Sequence, residues 1–240
     1  MTVVVAVKAG DYLQPQGRQL EFEPGIVMAG DTRLSYSGGI RLPEDYHVKV
    51  DSIGNYAIAG YAGNSTIAEA VLTRLEDAIQ RLGAFSPPSI ASVAQDMLVK
   101  EDRRNRHLTP SLRTVQMLLG TRDPETRKFV LFEMATNDGF SPKPRDGMAA
   151  IGSHGGYVKQ VFEDVRLVAA KLPSDPFKGP LVTLKEGLAP FIWLLLDKAI
   201  ETAGEKEGQK ALIGGKPHLV VLHSEGVEAM NPDENAKLTL

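Results

Sequence analysis

Thr2 is the residue whose type and place most directly suggest chemistry. It stands between Met1 and the strand-forming run Val3-Val4-Val5-Ala6-Val7. Removal of the initiator Met1, common before a small residue, makes Thr2 the chain terminus and sets its hydroxyl beside its own α-amine. Such an amine has a pKa of about 8, so a fraction is unprotonated near neutrality and can take the hydroxyl's proton. A structural strand that simply starts early is the plainer reading of the same residues.

The elements around Thr2 decide what it can meet. A polar connection from Gly10 to Pro24 leads to a second strand, Gly25-Ile26-Val27-Met28-Ala29-Gly30, followed by Asp31-Thr32-Arg33. Two strands joined this way pair as an antiparallel hairpin. With Lys8 opposite Gly25, Thr2 falls opposite Asp31. A second hairpin joins His47–Ile53 to Tyr56–Gly60 through Gly54-Asn55, a favourable two-residue turn. Pairing outward from that turn puts Lys49 opposite Gly60. The loop from Ser35 to Tyr46, with Gly38-Gly39 and Pro43, reads as irregular.

Further along, Asn64-Ser65-Thr66 can cap a helix carrying Ile67, Val71, Leu72, Leu75 and Ile79 on one face and ending at Gly83. A second helix is expected from Ser89 to about Asn105. The charges at its end, Lys100 to Arg106, mix both signs and read as a solvated helix end rather than a nucleic-acid surface. Strands are expected at Val115–Gly120 and Lys128–Glu133, then at Ala149–Gly152. A helix follows from about Tyr157, with Val158, Val161, Val165, Val168 and Ala169 on its apolar side. Another spans roughly Val182 to Ala203, and a last strand covers His218–Leu222. The chain thus reads as one α+β domain, residues 1–240, with two antiparallel sheets face to face and a helix pair outside each.

Composition narrows the function classes. Hydrophobic residues are 42%, charged residues 24%, and the net charge is -3, a balance that offers no broad basic surface to nucleic acid or anionic membranes. With no cysteine, disulfides and thiolate metal sites are excluded. The five histidines lack metal-ligand spacing, so no metal and no cofactor is expected. Gly60-Tyr61-Ala62-Gly63-Asn64 lacks the Lys-Ser/Thr ending of a phosphate loop, and no Gly-x-Ser-x-Gly elbow occurs. The apolar run Phe191–Leu196 is far shorter than a membrane span, and the N-terminus lacks a signal peptide's basic lead. A soluble cytoplasmic protein is expected.

Five stretches, taken in order, carry a resemblance: Thr2–Val7, Gly30-Asp31-Thr32-Arg33, Lys49-Val50, Ala59-Gly60-Tyr61-Ala62-Gly63 and Ile151-Gly152-Ser153. The set resembles the proteasome β-subunit superfamily of N-terminal nucleophile (Ntn) hydrolases, and its HslV-like bacterial branch most around the Ala-Gly-aromatic-Ala-Gly stretch. The resemblance implies a four-layer αββα sandwich and a threonine-type peptidase cleaving polypeptides inside a ring.

By that resemblance Thr2 is the nucleophile and Asp31 keeps the neighbouring lysine charged. Lys49 tunes Thr2 by its charge, the Gly60 N–H stabilises the oxyanion, and Ser153 helps position the terminal amine. Self-association into stacked rings and an ATP-driven unfolding partner are implied as well. Without an insertion in the preceding loop, His47 or Tyr46 takes the place of Lys49. Asp31 also reads as a turn cap, Gly60 as a packing glycine and Ser153 as a helix N-cap.

Three features depart from the family's pattern. Lys210 and Ile213 stand ahead of Gly214-Gly215 where an acid and a serine are expected; the Gly10–Pro24 connection is long; and His154 follows Ser153 in place of a small residue. They point to a divergent branch. An inactive structural or regulatory ring protein and a small-molecule amidase are the alternatives.

Overall fold

Alternation of side chains along the strands builds the core. A computed structural model of the chain describes residues 2–9, 21–33, 47–82, 86–161, 181–207 and 214–230. In β1 (Val3–Ala9), Val3, Val5 and Val7 face one hydrophobic cluster while Val4 and Ala6 face another. In β3 (Gly25–Gly30), Val27 and Ala29 join the first cluster, and Ile26 and Met28 the second. Strands of period two buried on both faces need apolar residues throughout, and these two have them.

Two antiparallel five-stranded sheets result. The first has the order β12-β11-β3-β1-β9, with β9 at Met148–Gly152, β11 at His218–His223 and β12 at Gly226–Met230. The second has the order β4-β5-β6-β7-β8. Its strands are Val50–Ile53, Ala57–Gly63, Val115–Arg122, Phe129–Ala135 and Lys143–Arg145. The sheets share a cluster of Val4, Ala6, Ile26 and Met28 from one side and Val50, Ile58, Ala62 and Leu118 from the other. On its outer face the second sheet packs against α1 (Ser65–Leu82) and α2 (Pro87–Arg104). The first sheet packs against α5 (Ala189–Glu207) and the helical residues 155–161, α4. A four-residue helix, α3 (Pro110–Arg113), precedes β6.

Helix starts follow cap chemistry. The Asn64 side chain accepts the Ile67 N–H at 3.0 Å, so α1 begins as expected. Helix α2 starts two residues earlier than the sequence suggested. Ser86 and Ser89 form a reciprocal capping box, and Pro87 and Pro88 fill the first turn, where a missing N–H costs nothing. The helix expected from Val182 begins differently. Leu181–Val182 form β10, paired in parallel with β2 (Glu21–Phe22), and a π-helical turn Leu184–Leu188 precedes α5. The short strands β2, β8, β10 and β12 were not expected. The charged end of α2 is tied up in ion pairs: Arg74 and Arg104 meet Glu101, and Arg113 meets Asp102 at 2.8 Å.

Both expected hairpin registers are corrected by one residue. Ala9, not Lys8, stands opposite Gly25, and Val50, not Lys49, stands opposite Gly60. Residues directly opposite in an antiparallel pair share a face. The expected pairing set Val5, of the helix-side cluster, against Met28, of the inter-sheet cluster. A one-residue slip turns a strand's side chains to the wrong face, so burial forbids it. The second turn accordingly has three residues, Gly54-Asn55-Tyr56. The expected features at residues 10–20 and 34–46 (Tyr46 among them), and at Gly83, Val165, Val168, Ala169, Lys210 and Ile213, lie outside the described residues. Among the described residues, no helix is long and apolar enough to cross a membrane.

Candidate active site

Asp31 is the fixed point of the site. It is fully buried just beyond β3, opposite Val3 rather than Thr2: its N–H donates to the Val3 carbonyl at 3.1 Å. Its carboxylate folds back on the same strand pair, and Val3 N–H donates to Oδ1 at 2.9 Å. Oδ2 accepts from Lys49 Nζ at 2.9 Å and from Gly214 N–H at 3.4 Å. Burial pushes the Asp31 carboxyl above its ordinary range, while the Lys49 charge and the donors from Val3, Lys49 and Gly214 pull it down.

Lys49 is 2% exposed, and its ammonium also donates to the Arg33 carbonyl. The one-residue corrections leave Asp31 and Lys49 joined across the two sheets. Lys49, not His47, is therefore the residue whose side chain reaches Asp31. An ammonium removed from water needs such a carboxylate and carbonyl, since a buried charge without partners is costly.

Thr2, 7% exposed, continues β1 beyond Val3, next to the amide that Asp31 holds. Its carbonyl accepts the Ser153 N–H at 3.1 Å. Ser153 thus meets Thr2 through its backbone, while its hydroxyl lies 3.4 Å from His154 Nδ1. Gly152 makes this approach possible. Its φ is +94°, and a Cβ there would stand 1.8 Å from the Thr2 carbonyl oxygen. Gly152→Ala is therefore expected to cost at least about 1–2 kcal/mol from backbone strain alone, more once Thr2 is displaced. Urea unfolding of the variant checks this, and an unchanged midpoint would contradict the contact.

Gly60 lies across the sheets from β1, where a Cβ would come within 2.6 Å of Val4 Cγ1 and 2.8 Å of Met28 Sδ. It lets the sheets close together. Tyr61 N–H donates to the Lys49 carbonyl at 3.1 Å, while Tyr56 and Asn64 are bonded toward β6. Alternation then directs the Gly60 N–H to Leu118 of β6, its ladder partner. In this arrangement that amide serves the ladder, not an oxyanion.

Sequence reasoning missed Gln116 and Gly214 as supports. Gln116 Oε1, from the second sheet, accepts the Gly152 N–H at 2.8 Å and so braces the turn that holds Thr2. Its signal was one polar residue inside the apolar run Val115–Leu119. Gly214 was noted only for the residues ahead of it, yet its amide reaches Asp31 and its carbonyl accepts the Thr32 N–H at 3.2 Å.

His218 pairs with Gly30 across β11 and β3, half-buried near this end of the sheets. Burial lowers its pKa from 6.5, and Asp51 partly opposes the shift. A depressed folded-state value means that stability is fully present above the unfolded value and is lost as pH falls through the folded one. His218→Gln should therefore reduce the loss of stability between pH 7 and pH 5 in urea titrations. Parallel wild-type and variant curves would show that His218 protonates without penalty.

Among the described residues, no group of three or more His, Asp or Glu is placed to hold a metal ion. No protein-family model matches this chain.

Proposed function

We propose that this protein is a threonine-type peptide hydrolase in which Thr2, once it is the chain terminus, attacks a peptide carbonyl. The observation that carries the reading is the buried Lys49–Asp31 pair, whose carboxylate also holds the Val3 amide directly after Thr2. The two antiparallel five-stranded sheets with helices on their outer faces support this reading, being compatible with the αββα sandwich of the Ntn hydrolases.

The Thr2 α-amine takes the hydroxyl proton as Oγ bonds to the carbonyl carbon. The tetrahedral intermediate collapses with loss of the substrate amine, which receives that proton, and leaves an acyl ester on Thr2. Water then attacks the ester with the Thr2 α-amine as base, which releases the carboxylic acid product and regenerates the hydroxyl. A lysinium close to Oγ favours the alkoxide-like state as the proton departs. The β-methyl of threonine restricts χ1, so aiming the hydroxyl costs less entropy than it would for serine. Assembly into stacked rings in the cytoplasm, fed by an ATP-driven unfolding partner, belongs to the same proposal.

Mass spectrometry of the mature N-terminus and labelling with an epoxyketone or β-lactone test this reading. The expected result is a free Thr2 carrying one adduct, together with turnover of peptides. Retention of Met1, or equal labelling of Thr2→Ala, overturns it. An unlabelled but ring-forming protein points to a structural role, and turnover of simple amides without peptides points to an amidase.

A further inference from the structure

The segment carrying Lys49 lies outside the regular ladder, because β4 starts only at Val50. A buried ammonium on such a strand end needs the backbone held in place. Two main-chain bonds contribute: His47 N–H donates to the Thr32 carbonyl at 2.8 Å, and Tyr61 N–H donates to the Lys49 carbonyl at 3.1 Å.

Side chains add a third attachment, from a different layer. The Tyr61 hydroxyl donates to Glu69 Oε1 of α1 at 2.9 Å. His47 Nε2 stands 2.6 Å from the Tyr61 oxygen and 2.9 Å from the same Glu69 oxygen. Proton counting assigns the roles. Tyr61 has one proton, given to Glu69, so the short contact with His47 requires Nε2 to carry a hydrogen. Burial and the Glu69 charge keep the tyrosine protonated, so it remains a donor. The two rings meet edge to face at 6.2 Å.

We propose that His47, Tyr61 and Glu69 form a clasp that fixes residues 47–49 against α1, making them positioning residues for Lys49. Their bearing on catalysis rests on the hydrolase reading; their hold on the segment does not. Tyr61 is 2% exposed and packs in the core under α1, so Tyr61→Phe removes the hydroxyl while keeping the ring.

The test is amide hydrogen exchange with and without that substitution, alongside peptide turnover. Tyr61→Phe should speed exchange at the His47 amide, which the Thr32 carbonyl accepts, roughly five- to tenfold while leaving the buried face of α2 protected. Turnover should fall through kcat rather than KM, by up to about 10²-fold, because misplacement of a charge near the nucleophile acts on the reacting state. Glu69→Gln, which keeps an acceptor, should retain most of the protection that Glu69→Ala loses. Unchanged exchange at the His47 amide in Tyr61→Phe overturns the clasp, whatever the activity. Faster exchange in a protein that hydrolyses nothing upholds the clasp and removes the hydrolase reading instead.

Discussion

Lys49→Met is expected to destabilise the fold by about 3–5 kcal/mol, the usual cost of removing one partner from a buried ion pair. The loss is large because Asp31 remains, fully buried, with only the Val3 and Gly214 amides, among the described residues, to share its charge. The sign of its pH dependence follows from Asp31. Burial already raises that carboxyl, and deleting the lysine removes the main opposing influence. An acid whose folded-state pKa is raised makes the protein less stable as pH rises through that value. The variant should therefore lose more against wild type at pH 8 than at pH 5. Replacing Asp31 with Leu in the Lys49→Met background should recover part of the stability, since two apolar groups leave no uncompensated charge. Urea titrations of the four proteins give the cycle. Additive single effects would mean that the pair is not coupled.

On the proposed hydrolase reading, Thr2→Ala is expected to abolish peptide turnover, with kcat/KM falling by at least about 10³-fold, because only binding and fixed electrostatics would remain without the proposed nucleophile. Stability should change little by comparison, since Thr2 is anchored through its backbone carbonyl by Ser153. Turnover and unfolding thus separate Thr2 from Lys49: on that reading one substitution is expected to remove chemistry alone, the other to cost both chemistry and stability. Thr2→Ser keeps the hydroxyl and should retain measurable turnover, reduced because its χ1 is less restricted. Comparable kcat/KM for wild type and Thr2→Ala would remove Thr2 from the reaction.

Much of the architecture was legible in the residues. Alternating apolar runs marked β1, β3, β5, β6 and β11, and helical spacing with an Asn64 cap marked α1. Strand edges with weak patterns were not legible. β12 carries Glu228 and Ala229 on an exposed edge, and β2 and β10 have two residues each, so their pairing comes from neighbours rather than propensity.

The order of residues by itself determined which side chains share a face, because strand alternation is a local property. It also marked Thr2, Asp31 and Lys49 as the residues worth bringing together. Only the tertiary structure decided register, since the burial of both faces selects between pairings one residue apart. It likewise decided that Lys49 rather than His47 reaches Asp31, that the Gly60 amide faces Leu118, and that Gln116 braces Gly152 from the opposite sheet. These are contacts between segments far apart in the chain, and local preference carries no information about them until the sheets close on each other.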